Sequence, residues 1–263
     1  MMEIDGTPMT AEDVSALALY NYGHFTSMRV EDQRVRGLSL HLDRLAHDCR
    51  VLFGADLDPQ RVRHLVRRVA SASPSPTMVR VTVFAPNLDL GHPGATAEPR
   101  VLVTTRPAAA ADLPPLRLTS VGYERDLPEV KHVGLFGTVY HRRAAQLDGF
   151  DDVLFLDSRS RIVEGATWNI GFHDGQRVVW PQADWLPGVT MRLLTDVLRR
   201  IGMESTTATL NPSDLPRMQS AFVTNASVGI RAVQSIDEVN FPEGASIIKR
   251  LQDEYAAIPG ELI

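Results

Sequence analysis

The sequence predicts an α+β chain in two lobes, and three observations predict it. Apolar residues at helical spacing through 39–53 and 59–69 give way to alternating, β-branched runs at 78–85 and 100–105. A stretch rich in Pro and Ala, PAAAADLPPL at 107–116, then interrupts all periodicity. Beyond it, short apolar strands outnumber helices and do not follow the regular succession of a doubly wound sheet. The expected organisation is a small N-terminal α/β domain over 1–106, a linker over 107–116, and a larger β-rich C-terminal domain over 117–263.

The totals are those of an ordinary globular chain. Its 263 residues suffice for a sizeable core, with 44% hydrophobic and 22% charged residues. A net charge of -5 speaks against a nucleic-acid partner, which calls for a basic stripe. Cys49 is the only cysteine, so no internal disulfide is possible and a reducing, cytoplasmic setting is expected. MMEIDGTPMTAEDV lacks the apolar run of a signal peptide, and no segment approaches the ~20 apolar residues that span a bilayer. No metal site is expected.

Taken in order, FTSMRV at 25–30 reads as a strand. Ser39 is expected to cap a helix through about Phe53, with Leu42, Leu45, Cys49 and Leu52 at helical spacing and His41, Arg44 and Asp48 on an adjoining polar stripe. Asp58 caps a second helix with Pro59 in its first turn, burying Val62, Leu65, Val66 and Val69 and leaving Arg61, Arg63, Arg67 and Arg68 as a solvated face. MVRVTVFA and RVLVTT are strands joined by a long loop. After the linker come strand RLTSVGY, a helix over about 136–148, and strand DDVLFLD. RIVEGATWNIGF and RVVWP form a hairpin across an Asp-Gly turn. A helix begins after Gly188, strands SAFVTN and GIRAVQSI follow, and a helix from about Pro242 closes the chain.

One residue asks for a chemical explanation. Of 27 basic Lys and Arg residues only Lys131 and Lys249 are lysines. An amine can lose its proton and attack a carbonyl, whereas a guanidinium stays charged. Lys131 lies in VKHVGLFGTVY, an apolar setting that favours the free amine. Three further elements could join it. Gly188-Val189-Thr190 at a helix start offers free N–H groups to an anion. Glu164, followed by Asn169, needs a cationic partner if buried. Thr224-Asn225-Ala226-Ser227 is a tight polar turn offering main-chain amides. Each also has an ordinary reading as a surface lysine, a helix cap, a solvated acid or a plain turn.

Their order resembles pyridoxal-phosphate enzymes of fold type IV, the D-amino-acid aminotransferase-like family that also holds branched-chain aminotransferases and 4-amino-4-deoxychorismate lyase. YGHFTSMRV and LSLHLDRLAHDC resemble that family's first strand and its H-x-x-RL helix, so the likeness runs from about Tyr22 to Val233. It implies pyridoxal 5'-phosphate as cofactor. By resemblance, Lys131 forms the Schiff base and shuttles the proton, and Glu164 pairs with the ring nitrogen. Arg44, Val189, Thr190 and the turn at Asn225 and Ala226 hold the phosphate. Phe25 and the loop at 87–95 line the substrate pocket, with Arg80 a candidate for the substrate carboxylate. A homodimer with no membrane or nucleic-acid partner is implied as well.

The pattern departs from the family in three ways: Ala226 stands where aminotransferases often have Thr, the arginine pair that D-amino-acid enzymes use for the substrate carboxylate is not found, and the residues after the lysine differ. Branched-chain enzymes carry Asn-Tyr shortly after the lysine, where this chain has Leu135-Phe136 and no hydroxyl to donate. The main expectation is a transaminase acting on an amino donor and a keto acid. The alternatives are a lyase releasing pyruvate and a catalytically silent homologue that retains the cofactor.

Overall fold

The computed structural model describes residues 2–109, 113–242 and 246–263. Ala110, Ala111 and Asp112 of the expected linker, and 243–245 before the closing helix, lie outside the described residues. The chain divides into two compact units, each taken by itself below.

The first unit holds Met1–Ala109, Val130–Gly134 and Pro259–Ile263. The expected division put the last two segments in the second domain. Main-chain bonds draw them here instead: Lys131 C=O accepts from Phe25 N–H at 2.8 Å, and Ile263 N–H donates to Gln33 C=O at 3.0 Å. The elements are β1 (Met2–Ile4), β2 (Thr7–Pro8), α1 (Ala11–Tyr20), β3 (Gly23–Val30), β4 (Arg34–Val35), α2 (Leu38–Phe53), α3 (Pro59–Ser71), β5 (Thr77–Phe84), β6 (Arg100–Pro107) and, after the helix expected to close the chain, a short strand Glu261–Leu262 paired antiparallel with β4. Helix α1 escaped the sequence reading. Thr10 and Asp13 form its capping box, with no apolar stripe to announce it.

The sheet runs in the order β2-β1-β6-β5-β3, antiparallel throughout. Helices α2 and α3 cover one face. Leu42, Leu45, Cys49, Val62, Val66 and Val69 pack there against Met28, Val79, Val81 and Val103. Because strand side chains alternate, Val79 and Val81 in this core send Arg80 to the opposite face, beside Phe25. Two expectations need correction. Gly37, in the left-handed region at φ 70°, stands at the cap of α2, and Ser39 donates its N–H and hydroxyl to Glu261. The α3 arginines are not merely solvated. Arg61 and Arg68 pair with Asp5 and Glu3, while Arg63 and Arg67 donate to the carbonyls of Leu262 and Ile263.

The second unit holds Ala110–Glu129 and Leu135–Ile258. Its elements are β7 (Leu116–Gly122), α4 (Phe136–Leu147), β8 (Asp152–Leu156), β9 (Ile162–Gly165), β10 (Asn169–His173), β11 (Val178–Pro181), α5 (Val189–Arg200), β12 (Ser205–Ala208), β13 (Ser220–Asn225), β14 (Gly229–Ile236), β15 (Val239–Asn240) and α6 (Ser246–Ala256). They form one mixed sheet, β12-β11-β10-β13-β14-β7-β8-β9, with β15 on β14. The expected hairpin is present: β10 and β11 pair antiparallel across Asp174 and Gly175, whose φ is 103°. Alternation on β13 sends Ala221 and Val223 to one core and Phe222 to another, where α5 and α6 cover it. No helix among the described residues is long and apolar enough to cross a membrane.

Candidate active site

In the first unit, Lys131 sits in an irregular segment laid along the end of β3. Phe25 N–H donates to its carbonyl, Val133 N–H donates to Gly23 C=O at 2.9 Å, and His24 and His132 form a bridge. Gly23 has no room for a side chain, because a Cβ would meet Val83 O at 2.6 Å. The main-chain N–H of Lys131 donates to Asp48 Oδ2 at 3.1 Å. Its half-buried side chain places Nζ 4.9 Å from the centre of the Phe25 ring, and the guanidinium of Arg80 lies 3.6 Å from that same centre. Arg80 also donates from Nε to Thr82 Oγ1.

Helix α2 brings a cationic and imidazole cluster to this place. Arg44 donates to Thr26 Oγ1 at 2.6 Å, and Thr26 Oγ1 is 2.7 Å from His41 Nδ1. Thr26 Oγ1 thus links Arg44 to the buried His41 ring. Burial, aided by the charges of Arg44 and Lys131, holds His41 well below the usual imidazole range. Burial and Arg44 push His24 down to about 3. Both rings are therefore neutral at pH 7 and add no further positive charge. Burial raises Asp48 above the ordinary carboxylate value, against the lowering by His47, the Lys131 amide and Arg44.

In the second unit, Glu164 is buried on β9 and is not a solvated acid. Arg125 Nε donates to Oε1 at 2.9 Å, and Asn169 Nδ2 and Leu186 N–H donate to Oε2 at 3.4 and 3.3 Å. Arg125 was not among the expected site residues; it lies far away in sequence, in a plain GYERD run. The pair lines a cavity of about 460 Å³ together with Tyr123, Phe155, Arg161 and Asp184.

Helix α5 starts beside the same hairpin. A Cβ on Gly188 would stand 2.1 Å from Asn169 Oδ1, so only glycine fits at the cap. Val189 and Thr190 are buried, and no acid occupies the first turn. The hydroxyl oxygens of Thr190 and Thr224 are buried without a hydrogen-bond partner. Asn225 closes its turn by accepting from Ser227 and Val228 N–H and by donating to Thr167 C=O, with Ala226 half-exposed at the tip. Phe136, at the start of α4, is 82% exposed. Thus Phe25, Arg80 and Lys131 meet in the first unit, and Arg44 is bonded to Thr26, the residue after Phe25 on β3. Glu164 and the start of α5 are joined through Asn169 in the second.

The profile of the amino-transferase class IV family matches residues 23–236. The chain belongs to the class IV aminotransferase family. A probable branched-chain-amino-acid aminotransferase of Rickettsia felis is 29% identical over 125 residues, covering 46% of this chain and 43% of that relative. The chain therefore matches less than half the length of such curated relatives. Among solved structures, a putative 4-amino-4-deoxychorismate lyase from Legionella pneumophila superposes with a TM-score of 0.83 at 22% identity, over 93% of each chain. A hypothetical aminotransferase from Mycobacterium tuberculosis in its PLP-bound form superposes with a TM-score of 0.84 at 19% identity, over 98% of each chain. At such identities these likenesses speak for the fold alone, and the fold is that of the fold-type IV enzymes.

Proposed function

We propose that this chain is a pyridoxal-5'-phosphate-dependent aminotransferase that moves an amino group between an amino donor and a keto acid. The setting of Lys131 carries the proposal. A rare lysine has its main-chain N–H and C=O both engaged, and its amine lies by an aromatic face among neutral imidazoles. The residues fit the cofactor. The buried, unpartnered Thr190 hydroxyl at an acid-free helix start is a donor that lacks an acceptor, which is what a phosphate supplies.

When bound, the cofactor supplies an aldehyde that condenses with amines and a ring that accepts electrons. Lys131 would anchor it and then carry the proton to and from the substrate's α-carbon. Glu164, which accepts from Arg125, would face the ring nitrogen and favour its protonated form. Arg44, Val189, Thr190 and Ala226 would bind the phosphate, with Asn225 shaping the turn. Arg80, stacked on Phe25, would take the substrate carboxylate, and the loop at 87–95 would close the pocket. The apolar stripe of Phe136, Val139, Tyr140 and Leu147 on α4 supports a homodimer, for which we expect a cytoplasmic setting.

The purified protein should be yellow and bleach with borohydride, and Lys131→Ala should be colourless. An amino donor given without acceptor should shift the visible band into the near ultraviolet; no shift across a broad donor panel defeats the transaminase reading. The lyase reading stays in view because Phe136 has no hydroxyl, and release of pyruvate from aminodeoxychorismate would select it. A coloured protein inert to both would be the silent homologue.

A further inference from the structure

The structure assigns Asp48 as a positioning residue that fixes the peptide of Lys131 from helix α2. This rests on the reading of Lys131 given above. Asp48 belongs to the polar stripe of α2 that also carries His41 and Arg44, yet nothing in the proposed chemistry uses it. Its side chain is fully buried, and burying a carboxylate is costly unless donors meet it. Two donors do: Lys131 N–H on Oδ2 at 3.1 Å, and His47 Nδ1 at 3.1 Å from Oδ1.

The need for such a group follows from the local chain. Lys131 lies in neither a helix nor a strand, so no ladder holds its amide. Its carbonyl is fixed by Phe25 N–H of β3. With Asp48 on the other side, both polar groups of the residue are held, and the direction of its Cα–Cβ bond is set. A side chain of α2 thus does for the lysine amide what a neighbouring strand does in a sheet. It also joins the lysine's peptide to the helix that carries Arg44.

Because the chain has two lysines, protein labelled with ¹⁵N-lysine has two lysine amide signals, and Lys249 is an internal control. In the cofactor-free protein, Asp48→Ala should speed hydrogen exchange at the Lys131 amide by roughly ten- to a hundredfold, as loss of a charge-assisted bond implies. Exchange at Lys249 should not change. Asp48→Asn, which keeps an acceptor oxygen, should restore most of the protection. Capture of added pyridoxal phosphate, followed by absorbance, should slow in Asp48→Ala and recover in Asp48→Asn. Unchanged exchange at Lys131 in Asp48→Ala overturns the assignment, as does Asp48→Asn exchanging as fast as the alanine variant. Should Asp48→Ala not fold, Asp48→Asn decides alone by keeping or losing that protection. A wild-type protein that takes up no pyridoxal phosphate would end the functional proposal, while the exchange measurement would still judge Asp48.

Discussion

Replacing Arg125 with Met removes the cation bonded to Glu164 and should be the most damaging single change around that carboxylate. The two charged groups are 2.9 Å apart, and their side chains are 10% and 7% exposed. At an effective dielectric of about 20, Coulomb attraction at that distance is ~6 kcal/mol, much of it offset by desolvation. Breaking a buried pair from one side costs about 3–5 kcal/mol. Asn169 and Leu186 also donate to Glu164, at the longer distances of 3.4 and 3.3 Å. We expect a loss of about 3 kcal/mol, which for a chain of this size is roughly 6–12 °C in Tm. Glu164→Gln should cost less, since Arg125 still donates to Pro128 C=O. The double variant should be more stable than the sum of the two losses implies by about 2 kcal/mol. Calorimetry on the four proteins measures this. A Tm drop under ~2 °C for Arg125→Met, with coupling below ~0.5 kcal/mol, would refute the account of a mutually dependent buried pair.

Two further outcomes follow from buried polar groups. His24 has its pKa lowered to about 3 in the folded protein from an ordinary 6.5. The unfolded chain therefore binds the extra proton between those values, and stability present above pH 6.5 is lost as pH falls toward 3. Urea denaturation at pH 4.5, 5.5 and 6.5 should show His24→Phe losing stability less steeply than wild type, by up to ~1.4 kcal/mol per pH unit; equal slopes would disprove it. Thr190→Val keeps the shape but deletes a buried hydroxyl that has no partner. It should leave the cofactor-free protein as stable or about 1 kcal/mol more so, yet weaken pyridoxal phosphate binding roughly five- to thirtyfold by titration. Equal affinity would remove Thr190 from the phosphate site.

Much of the fold was readable from local pattern. Asp58 and Pro59 do start α3, Gly188 does precede α5, and the Asp-Gly pair does close the β10–β11 hairpin. Caps, turns and periodicity act over a few residues, so they are written in neighbouring letters. The cap of α2 was misread because Ser39 finds its acceptor in Glu261, more than two hundred residues away. The polar stripe of α2 was visible, but periodicity cannot say what a stripe faces.

By itself, then, the sequence determined that a rare lysine, an acid in an apolar run and a helix start occur in the order of the fold-type IV enzymes, and that the chain is α+β. Only the tertiary structure decided what those groups meet. It paired Glu164 with Arg125, turned Arg80 onto Phe25, kept His24 and His41 neutral by burial, and set Asp48 against the amide of Lys131. The physical reason is that desolvation and ion pairing depend on what surrounds a group in space, and that neighbourhood is assembled from segments that the chain keeps far apart.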